Sequence, residues 1–298
     1  VSVSTIYDKS ANYSRAIPVQ IMANNPKKGE LHLCVQLNIQ NFNNAIRLVE
    51  FIELYKLLGA DYFTFYDSDV GPDVITVLEH YAAEGGLEIL PWSSAYLQEQ
   101  EFLHFGEHAS QNDCIMRSVN HFTFASTVDI DEFMIPVEHE NLIQLADHLS
   151  GNYSDYVFRN VFFFLGWEDD QKKHKILAAF KNRLITQKKI KRVEKVSMFL
   201  SRSKSLMRPE AIIEAGSHNV WEFVDGLWKS SDRTLDIPTE LGTLHHYRKC
   251  LPSSPGCTSN PKIIDRSAQR YMEPLVRAIV TVCGRIFPNT PNCPLPPS

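Results

Sequence analysis

From Leu31 to Leu90 the chain alternates between short β-branched or aromatic runs and helical spacings, joined by turn-length connections. Leu31 to Leu37 reads as a strand. Asn43 to Leu58 carries apolar residues at Ile46, Val49, Ile52 and Tyr55, and Gly59 supplies a helix stop. Tyr62 to Tyr66 is a second strand, running into Asp67-Ser68-Asp69. Pro72 opens a helix at its first position, with Val74, Val77, Leu78 and Tyr81 on one face and Gly85-Gly86 closing it. Leu87 to Leu90 is a third strand, and a helix from about Glu107 to Asn120 leads into a fourth. This order implies a parallel sheet covered by helices on both faces. Ligands of such sheets bind at the carboxyl ends of the strands, where Asn38, Asp67, Trp92 and Asp129 fall.

The fourth run, Phe122 to Val128, climbs into Asp129-Ile130-Asp131-Glu132. Strand alternation puts Asp129 and Asp131 on one side and Ile130 on the other. Two carboxylates so placed repel each other unless a cation lies between them. A hard divalent ion with oxygen ligands removes that repulsion, and if it also holds a diphosphate it activates a leaving group. An Asp-x-Asp pair alone is a weak signal, because most such pairs are solvated loop residues. This one is flanked by apolar residues on both sides, with Phe133-Met134-Ile135-Pro136 following. The chain has no Gly-x-Gly-x-x-Gly and no P-loop, which favours a metal over backbone amides as the phosphate anchor.

With 298 residues, 44% hydrophobic and 22% charged, the chain is long and apolar enough for a sizeable core. It begins Val-Ser-Val-Ser without Met and is expected to be a processed or trimmed form. It contains no apolar run long enough to span a bilayer and no signal peptide. Four of its six cysteines, Cys250, Cys257, Cys283 and Cys293, crowd the Pro-rich tail, and most are expected to be bridged. With sequons at Asn12 and Asn152, they favour the lumen of the secretory pathway. The net charge of −5 and the lack of a recognition module argue against nucleic acid. Charge is uneven: Gln171 to Pro209 holds thirteen Lys or Arg and one acid, Glu194. That band is either a solvated face or a border of an anionic ligand.

The remainder is less regular. Val1 to Glu30 reads as a polar, irregular lead-in. Asn141 to Leu149 is a short helix, Tyr156 to Leu165 a strand or two, and Ser197 to Met207 a strand candidate. Leu241 to Tyr247 contains His245-His246, and Asp265 to Arg285 has helical spacing at Leu275, Ile279 and Val282.

Several blocks resemble glycosyltransferase family 92. They are Phe51-Ile52-Glu53-Leu54-Tyr55 with Tyr62 to Tyr66, then Val77-Leu78-Glu79-His80-Tyr81 with Pro91-Trp92. Next comes Asn112-Asp113-Cys114-Ile115-Met116-Arg117 running into Val128 to Phe133, the most specific block. Lys204 to Pro209, Ala215-Gly216-Ser217-His218 and His246-Tyr247-Arg248 complete the match. The resemblance implies a GT-A fold: an α/β Rossmann-type mixed or parallel sheet flanked by helices, joined to a less regular acceptor-side half. On it, residues 1–30 are a stem-like segment, 31–136 the nucleotide-sugar half, 137–250 the acceptor half of the same domain, and 251–298 a Cys/Pro-rich end. It implies a manganese or other divalent ion, a UDP-sugar donor, expected to be UDP-galactose, and a glycan acceptor such as an N-glycan. It also implies a type II Golgi protein facing the lumen, whose membrane anchor is missing from this chain. The loop Phe164 to Asp170 departs from the small-residue turn expected there.

The resemblance and the residues together assign roles. Asp131 is the expected direct metal ligand; Asp129 binds the ion through water or binds the donor ribose. His246 is the third ligand, with His245 and His218 as competitors, and Glu132 orients the pair. Tyr66, Asp113, Arg117 and Lys204 are expected on the donor side, the two cations toward phosphate. An inverting displacement needs a general base, and Glu168, Asp169, Asp170, Glu214, Glu222 and Asp225 are candidates. The 168–170 loop is favoured because it is acidic, follows a strand and sits beside Trp167, whose ring suits a stacked sugar. Two other functions stay open: a lectin-like or scaffolding member without turnover, and a metal-dependent nucleotide-sugar hydrolase.

Overall fold

A computed structural model of the chain describes residues 2–8, 13–19, 29–37, 42–67, 70–92, 106–149, 153–172, 175, 183–226, 233–250, 257, 261–290 and 293–294. Asn38, the sequon residues Asn12 and Asn152, and the part of the basic band between Lys172 and Arg183 other than Lys175 lie outside the described residues.

The alternation read from Leu31 onward is present. β3 (Gly29–Leu37), β4 (Tyr62–Asp67) and β5 (Leu87–Pro91) run parallel in that order, linked by α1 (Ala45–Leu57) and α2 (Pro72–Ala83). Asn44 caps α1 by accepting from Arg47 N at 3.2 Å, and Gly59 at φ +100° ends it in the left-handed region. The chain then follows α3 (Glu107–Ser118) back across the sheet to β6 (Phe122–Val128), which pairs parallel with the other side of β3. Strand order therefore reverses between β3 and β6, and the last pair there is Val35 with Val128. A crevice at such a reversal is where open α/β sheets bind ligands.

Residues beyond β6 complete the same sheet. β11 (Lys204–Met207) joins β6 antiparallel, β8 (Asp155–Phe158) joins β11, and β14 (Thr234–Asp236) closes the edge. The result is a mixed sheet in the order β14-β8-β11-β6-β3-β4-β5. A second sheet is built from β7 (Glu132–Pro136), β15 (Gly242–Arg248) and β9 (Asn160–Phe164), with β15 central. The apolar run at Tyr156 to Leu165 is thus two strands, one in each sheet. The lead-in differs from expectation: β1 (Ser2–Asp8) pairs antiparallel with β2 (Tyr13–Val19). Val3, Thr5, Ile6, Ile17 and Val19 give both segments the β-branched content that favours strand over irregular chain.

The two faces of the main sheet are covered differently. Leu31, Leu33 and Val35 of β3 pack in one core with Phe51, Ile52 and Tyr55 of α1 and with Leu275 and Ile279 of α4 (Met272–Ile286). On the opposite face His32 and Cys34 meet α3: His32 Nδ1 lies 2.8 Å from Ser118 Oγ, and Cys34 is bridged to Cys114. The tail cysteines are paired Cys250–Cys257 and Cys283–Cys293. No described helix is long and apolar enough to cross a membrane.

One core group bears on stability. Asp155, at the start of β8, is buried, and neither carboxylate oxygen has a hydrogen-bond partner. Burial pushes its pKa up to about 7, and the nearby Ser205 hydroxyl offsets only part of that. A carboxyl raised above its unfolded value near 4 folds at no ionic cost below that value. It then loses roughly 1.4 kcal/mol of stability for each pH unit up to about 7. Asp155→Asn should remove this slope and melt above wild type at pH 8, by about 2–4 kcal/mol in unfolding free energy. Urea unfolding at pH 5 and pH 8 measures it; parallel pH dependence in the two proteins would refute the assignment.

Candidate active site

The ordered alternation of β6 stops at Val128. A turn follows, closed by Glu132 N donating to Asp129 O at 3.0 Å, while Asp129 N donates to Glu132 Oε2 at 3.2 Å. Ile130 is buried and Asp129 and Asp131 stay partly open, so the expected sidedness is achieved by a turn rather than by strand pleating. β7 then begins at Glu132 and pairs with β15 so that Glu132 stands opposite His246. Tyr247 N donates to Asp131 O at 2.8 Å, which locks the turn to β15.

Five side chains converge here from three elements and the turn. Lys204, from the first residue of β11, places its Nζ 3.5 Å from Asp129 Oδ2 and 3.4 Å from Glu132 Oε2. The Lys204 and Glu132 side chains are each 2% exposed, whereas Asp129 keeps 49% of its side-chain surface open despite its dense surroundings. His246 Nε2 lies 3.5 Å from Asp131 Oδ2. Its Nδ1 is 3.2 Å from Glu132 Oε1 but outside hydrogen-bonding geometry, and so remains an orphaned polar atom.

Electrostatics follow from this crowding. Burial pushes the Asp129 carboxyl upward, but the Lys204 ammonium, helped by the His246 ring, outweighs it and holds the pKa below the ordinary value. Burial depresses Lys204, and Asp129 and Glu132 more than reverse it, raising its pKa. Burial also disfavours charge on His246, yet Asp131 and Glu132 hold its pKa up to about 9. Three carboxylates thus face one ammonium and, at neutral pH, one imidazolium, an acid-rich set in which a bound ion would displace the ring proton. Carboxylate oxygens together with an imidazole suit manganese or a similar divalent ion.

The competing histidines separate. His245 points into the core, with Nδ1 3.2 Å from Tyr247 OH and Nε2 3.3 Å from Ser267 Oγ, and cannot reach the turn. His218 is exposed in the bend between β12 (Ile212–Ala215) and β13 (Val220–Phe223). Partial desolvation lowers its pKa, and Lys204, Glu132 and Asp129 act on it electrostatically. A cation not anticipated from the sequence, Arg47 of α1, donates to Tyr247 O at 3.5 Å and acts electrostatically on Asp131. Its available signal was position: it lies in the first turn of the helix that follows β3.

The residues expected on the donor side form a chain of contacts. Tyr66 OH donates to Asp113 Oδ2 at 2.7 Å, and Arg117 Nε donates to the same oxygen at 2.7 Å. Tyr66 shares a cleft with Cys34, Ser110, Asp129 and Lys204, next to the strand reversal. Trp92, at the end of β5, meets the Tyr66 ring edge-on at 5.4 Å.

The acidic loop is held differently from expectation. Glu168 pairs with Lys191, Asp169 with Lys189 and Lys188, and Asp170 with Arg266 and Gln269. These carboxylates act as clamps on neighbouring cations. Trp167 is no stacking face either: it is 9% exposed, its Nε1 donates to Cys257 O at 2.7 Å, and Lys262 covers its ring at 4.4 Å. The basic band is likewise divided among separate partners, with Arg192 on Asp265 and Arg208 donating to Tyr153 O.

A family model described as Glycosyltransferase family 92 matches residues 29–276. A β-1,4-galactosyltransferase of Caenorhabditis elegans, galt-1, is 23% identical over 221 residues, covering 74% of this chain and 48% of that protein. A glycosyltransferase family 92 protein of the same worm is 28% identical over 146 residues, 46% of this chain and 28% of that one. The chain therefore spans about half the length of the first of these relatives and less of the second. Among solved structures, S. aureus TarS aligns at a TM-score of 0.36 and 10% identity, over 75% of this chain and 37% of that one.

Proposed function

The chain belongs to glycosyltransferase family 92, and we propose from that premise that it transfers a sugar from a UDP-sugar, galactose first among the candidates, to a glycan acceptor. We take the mixed sheet as a GT-A arrangement, the metal as manganese or a similar divalent ion, and the working compartment as the Golgi lumen. The observation that carries this is the convergence of Asp129, Asp131, Glu132, Lys204 and His246 at the strand reversal.

Asp131 and His246 would hold the ion, with Asp129 facing the cleft as a further ligand or as the ribose contact. When bound, the ion would supply positive charge to the diphosphate leaving group. Glu132 accepts from the Asp129 backbone N–H and keeps its charge 3.2 Å from the His246 ring, which favours the ring's position electrostatically. Lys204 balances Asp129 and Glu132 from the buried side, leaving Asp129 and Asp131 partly open toward the cleft. Tyr66, anchored by Asp113 and Arg117, walls the cleft on the side away from the turn. Inversion at the sugar carbon needs a base at the acceptor hydroxyl. Of the carboxylates considered, Glu214 stands beside Asp113 on an open groove, whereas the 168–170 loop is ion-paired.

The test is turnover of a UDP-sugar panel with a neutral N-glycan acceptor, analysed by mass spectrometry. Activity should vanish in EDTA and return with manganese better than with calcium, because calcium prefers all-oxygen cages. Full activity after exhaustive chelation would overturn the metal assignment. Release of free sugar at the same rate with and without acceptor would make the protein a hydrolase.

A further inference from the structure

The β12–β13 hairpin leans on α3 and is fastened there by Asn112. The Asn112 amide donates to Ala215 O at 2.8 Å, and its carbonyl accepts from Ala215 N at 2.8 Å. Within the hairpin the indole of Trp221 lies over Gly216, where an added Cβ would stand 2.2 Å from Nε1 and 2.4 Å from Cε2. On α3 the indole meets the ring of His108, with centroids 4.5 Å apart. Even so, Trp221 is 52% exposed. Single exposed hydrophobic residues are ordinary. This one is held in place by a backbone approach that only glycine allows, and it still presents surface to solvent.

His108, which the indole meets, also lines an open groove with Asn112, Asp113, Met116, Ile213 and Glu214. Met116 and Ile213 are exposed apolar side chains, and Asp113 and Glu214 bring carboxylates to the same wall. Asp113 also accepts from Tyr66 OH, and Tyr66 lines the cleft with Asp129 and Lys204. His218, in the hairpin bend, acts electrostatically with Lys204, Glu132 and Asp129. Groove and cleft therefore share a wall.

We propose that this groove is a subsite for a neutral glycan, with Trp221 as its stacking face and Glu214 and Asp113 as acceptors for sugar hydroxyls. A pyranose offers an apolar C–H face to an aromatic ring and hydroxyl donors at its edge, matching the Trp221 surface and the two carboxylates. Arg117 balances the Asp113 charge, so the repulsion of a sialylated chain falls chiefly on Glu214. That the bound glycan is the acceptor rests on the transferase reading above; the binding does not.

Frontal affinity chromatography on the immobilised chain, with no donor present, separates the two. The probes are a galactose-terminated biantennary N-glycan and its disialylated form. The neutral glycan should be retained and the disialylated form much less. Trp221→Ala and Gly216→Ala should each weaken retention about tenfold, the second by displacing the indole while keeping it. Trp221→Phe should stay within a few-fold of wild type. Glu214→Lys, at an exposed site that tolerates charge, keeps the test valid if Trp221→Ala misfolds, and should shift preference toward the disialylated glycan. No retention by wild type, or unchanged retention by Trp221→Ala and Gly216→Ala, overturns the subsite. Neutral-glycan retention that depends on Trp221, in a chain that never cleaves a UDP-sugar, keeps the subsite and removes the transferase reading. UDP-sugar cleavage with retention indifferent to Trp221 does the reverse.

Discussion

Asp131→Ala should lower sugar transfer by about a thousandfold or more while the chain still melts as a cooperative unit. The ordering of the site explains why the loss is confined to chemistry. Asp131 is partly open, and its structural task is done by its carbonyl, which accepts from Tyr247 N at 2.8 Å and survives the substitution. Its carboxylate meets His246 at 3.5 Å and is 31% exposed, open enough to reach an ion in the cleft beside Asp129. A bound ion supplies several kcal/mol of leaving-group stabilisation, and about 4 kcal/mol corresponds to a thousandfold in rate. Asp169→Ala is the informative control. Its carboxylate clamps Lys189 and Lys188, so its loss should cost stability before rate. Turnover and thermal midpoint measured together distinguish the two. Asp131→Ala with near-wild-type turnover would sink the metal assignment, and Asp169→Ala with intact stability and no turnover would restore the acidic loop as the source of the base.

What the sequence made legible follows physical range. The strands and helices between Leu31 and Val128 were readable because periodicity, Pro72 and Gly59 are local signals, and the sheet order that follows brings Asp129 to the reversal. The choice of His246 over His245 depends on which face of β15 meets Glu132, a register that only long-range pairing sets. Arg47 was missed because a cation on an apolar helix looks like a solvated residue until β15 is laid beside it. Trp167 is misplaced by the sequence for the same reason, and no sequence signal singles out Trp221. Neighbouring carboxylates made Trp167 resemble a sugar platform, but Phe164 and Lys262 cover it. The aromatic that remains open is held by a glycine five residues before it, a contact that no periodicity announces.

Lys204→Met should be the most destabilising single change in the site, because the sequence-based view of Lys204 as a phosphate contact and the structural view of it as a counter-ion predict different things. As a phosphate contact the side chain would be idle without donor, so its loss would raise the apparent KM for UDP-sugar and leave the melting temperature alone. In the structure its ammonium is buried between Asp129 and Glu132, at 3.5 and 3.4 Å. Deleting one partner of a buried ion pair leaves an uncompensated charge and typically costs about 3–5 kcal/mol. The loss should fall chiefly on Glu132, which is as buried as Lys204, rather than on Asp129, which is half open to solvent. The double variant Lys204→Met with Glu132→Gln should therefore recover much of the stability, since the stranded carboxylate is gone and the amide can still accept from Asp129 N. Urea unfolding of wild type, both singles and the double measures the coupling directly. A Lys204→Met chain as stable as wild type, with a raised donor KM, would return Lys204 to the phosphate; a destabilised single that the Glu132→Gln change fails to relieve would place its partner elsewhere.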